Sequence, residues 1–120
     1  MNEYIGTLFQ SRNQAHIYHL QTTSYAKHIA LNSYYDDIVP LIDSIVESYQ
    51  GKYEILKGYK MMGSLKDLGE DDDIISYFEQ LARFCELKRK KLPQDGFLNN
   101  LYDSVDELIN STLYKLKNLA

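Results

Sequence analysis

Apolar residues return along this chain at intervals of three and four, the period of a helix packed on one side. Tyr4, Ile5, Leu8, Phe9 and Ala15 form one such series, and Ile74, Tyr77, Phe78, Leu81, Ala82 and Cys85 another. Alternation of the strand type is absent throughout. The pattern predicts helix A over about residues 2 to 20, closed by a polar stretch in which Thr23 or Ser24 caps helix B. Helix B runs to about Gln50, with Ile38, Val39, Ile42, Ile45, Val46 and Tyr49 on one face. Pro40 lies inside it, where the missing amide proton removes the bond to the Asp36 carbonyl and predicts a bend without a break.

From Lys52 to Gly69 the periodicity weakens, and Gly58, Gly63 and Gly69 punctuate a connector with room for one short helix. The acidic run from Glu70 to Asp73 then suits the start of helix C, where carboxylates accept from free amides and meet the positive end of the dipole. Helix C ends near Lys91, before Leu92 and Pro93. Helix D follows from about Asp95 to Leu119, with Phe97, Leu98, Leu101, Val105, Leu108, Ile109, Leu113 and Leu116 as its buried stripe. The expected fold is all-α, a single four-helix domain over residues 1 to 120. Its short A–B and C–D turns and longer B–C link suggest the ferritin-like order with a crossover between helices B and C. A helix of 25 residues is about 38 Å long, so the connector of about 18 residues spans the bundle only when extended. An up-down-up-down bundle is the rival topology.

Charge narrows the function classes. A net charge of −4 argues against gripping nucleic acid by bulk electrostatics. The one basic cluster, Lys88 to Lys91, reads as a partner of the helix C dipole. The single Cys85 forms no internal disulfide and belongs to no metal-binding cysteine pair, which fits a core thiol in a reducing, cytoplasmic setting. No run approaches the roughly 20 apolar residues of a membrane span, and the first residues lack a basic and apolar leader pattern.

Five residues then break the apolar logic of helix B and the end of helix A. His16, His28, Asn32, Asp43 and Glu47 follow the pattern H-x11-H-x3-N-x10-D-x3-E. On one helix, His28, Asn32, Asp43 and Glu47 fall within about 100° of arc, a single polar stripe. His28 and Asp43 are about 22 Å apart along the axis, so one ion cannot meet both within a subunit. Two copies of helix B packed antiparallel about a two-fold axis would unite them and make two identical centres per dimer. Imidazole with carboxylates suits Fe(II), Zn(II) or Mn(II), and Asn32 supplies a neutral carbonyl where a carboxylate would add charge. Taken singly, His16 and His28 read as interface residues; their joint spacing with Asp43 and Glu47 carries the metal reading. His19 falls outside the pattern and is expected to face solvent, as are Asp36 and Asp37. The eleven tyrosines, four of them near the proposed centre, read as interface packing.

The segment AHIYHLQTTSYAKHIALNSYYDDIVPLIDSIVES resembles the signature region of the Dps family, the miniature ferritins, whose spacing is H-x11-H-x3-D-x10-D-x3-E. His16, His28, Asp43 and Glu47 match without gaps, and Asn32 stands where that family has its first Asp. Ile17 replaces its common Trp, and LQTTS replaces its Gly-rich turn. The resemblance implies an iron-binding ferroxidase centre between subunits, oxidising Fe(II) with peroxide or oxygen in protection against oxidative stress. It also implies a homodimer through helix B, with a dodecameric shell as the larger alternative. Direct DNA binding is not expected, since the Lys-rich extension used by some members is missing. A second reading stays open, a ferritin-like interaction protein that keeps the dimer and has lost effective turnover. Paired Glu-x-x-His motifs are absent, which excludes a di-iron centre inside one bundle.

Overall fold

The computed structural model describes residues 1–61, 63–70 and 72–120, and among these all regular structure is helical. Four helices follow in order: α1 (Asn2–Gln21), α2 (Tyr25–Lys52), α3 (Asp72–Arg89) and α4 (Gly96–Asn118). Ser24 caps α2, its hydroxyl accepting from the Lys27 amide at 3.2 Å. α2 continues through Pro40 to Lys52 as one helix. At the start of α3, Asp73 reaches back so that its carboxylate accepts from the amides of Gly69 and Glu70 at 3.1 and 2.9 Å. Both amides precede α3, so Asp73 ties the end of the connector to the first turn of the helix; Asp71 lies outside the described residues.

α1 packs on α2 and α3, and α4 packs on the same two, so the helices form a four-cornered bundle 44 Å long. Glu3 near the start of α1 pairs with Lys88 near the end of α3 at 3.6 Å. Lys52 at the end of α2 pairs with Asp95 at the start of α4, and Lys117 near the end of α4 meets Glu79 in the first half of α3 at 3.2 Å. Adjacent helices are thus antiparallel, while α2 and α3 run the same way on opposite corners.

That order obliges the connector to travel the length of the bundle, and α1 holds it along the way. Gly6, Gln10, Gln14 and Gln21 occupy about 0°, 40°, 80° and 60° around α1, one narrow stripe. At Gly6 the backbone of Lys60 comes so close that any Cβ would collide with its carbonyl. Gln10 donates to the Gly63 carbonyl at 3.2 Å. Gln14 both donates to the Lys66 carbonyl and accepts from the Lys66 amide, each at 2.8 Å, which replaces the backbone partners the extended strap lacks. Gln21 closes the series, accepting from the Leu68 amide at 2.7 Å and donating to Asp67 at 2.9 Å. Gly58 and Gly63 take positive φ of 72° and 77°, the left-handed turns that let the strap change direction. The short helix allowed for in the connector does not form among its described residues.

The core is built from Tyr4, Ile5 and Leu8 of α1, Leu31, Tyr34, Ile38, Ile42 and Ile45 of α2, Phe78 and Cys85 of α3, and Tyr102, Val105 and Ile109 of α4. Three expected core residues lie outside. Phe9, Val39 and Phe97 are exposed, because their chain neighbours Leu8, Ile38 and Leu98 take the inward positions. Tyr34 buries its ring edge-on to Phe78 and shares a 2.7 Å hydrogen bond with Ser11. The Tyr4 hydroxyl, equally buried, meets no partner among the described residues.

Candidate functional site

The tight turn between α1 and α2 draws three histidines together. His19 stands in the last turn of α1 and is only 8% exposed, against the expectation that it faces solvent. Its burial follows from a reciprocal clasp: His19 Nδ1 lies 2.7 Å from the His28 carbonyl oxygen, and His28 Nδ1 lies 2.8 Å from the His19 carbonyl oxygen. A carbonyl oxygen only accepts, so both Nδ1 atoms carry the proton and both Nε2 atoms keep a lone pair. The two rings stack with centroids 3.6 Å apart and planes 17° from parallel.

His16 is set the opposite way. An Arg12 guanidinium nitrogen lies 3.1 Å from its Nδ1, and a guanidinium only donates, so the neutral His16 ring carries its proton on Nε2. The His16 ring stacks on Tyr35 at 4.4 Å, and the Arg12 guanidinium lies 5.2 Å from the centroid of the same ring. Burial, then the Arg12 charge, pushes the His16 imidazole below its ordinary value of 6.5, with His19 adding and Asp36 opposing.

Farther along α2 the expected residues are arranged as follows. Asn32 Oδ1 accepts from the Tyr35 hydroxyl at 2.7 Å, and its amide nitrogen donates to Asp36 at 3.0 Å. Asp43 and Glu47 are exposed on the outer face, as are Asp36 and Asp37. Among the described residues no three His, Cys, Asp or Glu side chains converge within the chain. The structure brings His16 and His28 to one end of α2 with Asn32 a turn beyond, and leaves Asp43 and Glu47 toward the other end.

Sequence reasoning missed Arg12 and the burial of His19, and read Tyr35, one of the four tyrosines near the proposed centre, only as interface packing. Arg12 precedes His16 by one helical turn, a spacing that puts two side chains side by side and was the available signal. A second feature also lies on this face. Tyr25, Ile29, Asn32, Asp36, Val39, Asp43 and Glu47 share about 80° of arc on α2, and Tyr25 is 78% exposed with Ile29 and Val39 exposed beside it.

The family model DUF5856, described as a family of unknown function, matches residues 19–116. The chain belongs to this family. The DUF5856 match takes in His19, His28, Asn32, Asp43 and Glu47 and stops short of Arg12 and His16. No curated protein and no solved structure matches the chain. Among the described residues, no helix of this DUF5856 member is long and apolar enough to cross a membrane.

Proposed function

We propose that this DUF5856 protein is a ferritin-like bundle of Dps type that pairs through the outer face of α2 and binds Fe(II) between subunits. The observation that carries the reading is the His28 clasp. Its Nδ1 proton is committed to the His19 carbonyl, which leaves Nε2 free in the tautomer that metal-ligating histidines adopt. The strap running along α1 is the crossover such a bundle requires, and it supports the ferritin-like assignment. Antiparallel pairing of two α2 helices, centred near Asp36, would set His28 of one copy against Asp43 and Glu47 of the other. It would also cover Tyr25, Ile29 and Val39, three apolar side chains that are exposed in the single chain. The two Asp36 carboxylates would then approach the axis, so association should tighten as salt screens them.

With Fe(II) as substrate, oxidation by peroxide balances as two Fe(II) each giving one electron, the O–O bond breaking and two hydroxides leaving beside two Fe(III). The chain's part is to hold the ion with His28, Asp43 and Glu47 and to keep the His28 Nε2 lone pair free of a proton.

A second reading, an assembly module without turnover, is favoured by Asn32, whose carbonyl oxygen already accepts from Tyr35, and by the Arg12 charge beside His16. Anaerobic Fe(II) titration with the oligomer mass recorded in the same buffer separates the two. Saturable binding by a dimer, lost in an Asp43→Ala, Glu47→Ala variant that stays dimeric, supports the iron reading. An intact dimer with no saturable binding leaves the assembly module.

A further inference from the structure

We propose that Arg12 is a built-in cation that takes His16 out of the ligand set, so that each candidate centre holds one divalent ion and His16 is not a ligand. The inference rests on the iron reading above and fixes its stoichiometry.

Three observations carry it. The Arg12 guanidinium donates to His16 Nδ1 at 3.1 Å, so the nitrogen that points away from Arg12 carries a proton and has no lone pair to offer. Reversing that tautomer would aim an N–H at a guanidinium that cannot accept, and would break the bond that orients the ring. Second, Arg12 cannot shed its charge, and its position over the Tyr35 ring, 5.2 Å from the centroid, holds that charge on the His16 side of the cluster. A divalent ion at His16 would sit against a fixed positive group. Third, Asn32 contributes no charge to offset the guanidinium, and its oxygen is already engaged by Tyr35.

His28 differs from His16 in its hydrogen bonds: its Nδ1 is satisfied by a backbone carbonyl and its Nε2 is free. The sequence spacing counts two histidine ligands; the local chemistry leaves one.

The test is anaerobic Fe(II) titration of four proteins: wild type, His16→Ala, Arg12→Met, and the Arg12→Met, His16→Ala double variant. Methionine keeps an unbranched apolar stem against Tyr35 while removing the charge and the donor. Wild type and His16→Ala should each bind one Fe(II) per subunit with affinities within about threefold. Arg12→Met should bind two, and the double variant should return to one. A metal-free readout accompanies it: long-range proton–nitrogen NMR should show His16 Nδ1 unprotonated in wild type, and His19 and His28 Nδ1 protonated. Two ions in wild type falling to one in His16→Ala would overturn the Arg12 inference and leave the iron reading standing. A single ion in folded Arg12→Met, or a protonated His16 Nδ1 in wild type, would overturn it as well. No saturable binding in wild type, or binding indifferent to the Asp43→Ala, Glu47→Ala change, removes the iron reading and this inference together.

Discussion

His19 and His28 each give a ring proton to the other's backbone carbonyl, a two-bond clasp across the α1–α2 turn. The carbonyl of His19 lies in the last turn of α1, where helix carbonyls lack intrahelical partners, so the clasp also finishes that helix end. His19→Ala should cost about 1–2 kcal/mol, one net hydrogen bond together with the packing of a buried ring. His28→Ala should cost a similar amount, and the double variant should lose less than the sum because both bonds belong to one unit. Urea unfolding of the three variants checks this. Additive losses would mean that the two rings act independently.

The strap depends on α1 more than on its own sequence. Gly6→Ala places a Cβ against the Lys60 backbone, which must move away, at an overpacking cost of about 1–3 kcal/mol. Gln14→Leu removes both partners of Lys66 and should leave the helices folded while the strap loosens. Limited proteolysis should then cut between Tyr59 and Leu68 faster in both variants than in wild type. Equal cleavage rates would show that the glutamine series does not hold the strap.

The helices were legible because their apolar period is strong and their ends carry chemistry, Ser24 at α2 and Asp73 at α3. The strap's route was not, since an extended segment with little apolar pattern announces no packing partner. Its partner was written in α1, as Gly6, Gln10, Gln14 and Gln21 at helical spacing, which reads on its own as an ordinary polar face. The same limit applied at the turn. Spacing alone treated His16 and His28 as equivalent, and only the hydrogen-bond partners Arg12 and the His19 carbonyl tell them apart. His19 was missed because its polar ring is satisfied by backbone, a partner invisible in a pattern of side chains.

Two buried tyrosines should respond in opposite directions to loss of the hydroxyl. Tyr34 shares its hydroxyl with Ser11, so Tyr34→Phe should destabilise by about 1 kcal/mol. Tyr4 is fully buried with no partner for its hydroxyl among the described residues, so Tyr4→Phe should be neutral or stabilising by up to about 1 kcal/mol. Thermal unfolding of both variants checks the contrast. A loss in Tyr4→Phe as large as that in Tyr34→Phe would point to a partner bound at that hydroxyl.

Cys85 should be inert in the native protein. Burial, with a smaller contribution from Asp106, pushes its thiol up from 9.0 to about 12, and the side chain is fully enclosed. A thiol-reactive dye at pH 8 should label it only at the rate of unfolding, and urea should raise that rate steeply. The sign of the linked stability is negative with alkali. The native state keeps a proton that the unfolded thiol releases above about pH 9, so this stability is lost as pH rises from there toward 12. Rapid labelling without denaturant would show that α3 opens locally.

His16 sets the acid side. Its imidazole titrates below the ordinary 6.5 in the folded chain, chiefly through burial and then through Arg12. The unfolded chain therefore binds more protons over the interval between the folded value and 6.5, and stability falls as pH drops through that interval. The ring is partly exposed, so solvent screening keeps the effect small. The sharper check is the titration itself. Proton NMR should place the His16 midpoint below 6.5 in wild type, and Arg12→Met should move it upward because the repelling charge is gone. Asp36→Asn should move it downward, since Asp36 is the group that favours the imidazolium. A midpoint unmoved by either change would mean that Arg12 and Asp36 do not act on this ring, and would take with it the electrostatic contrast drawn between His16 and His28.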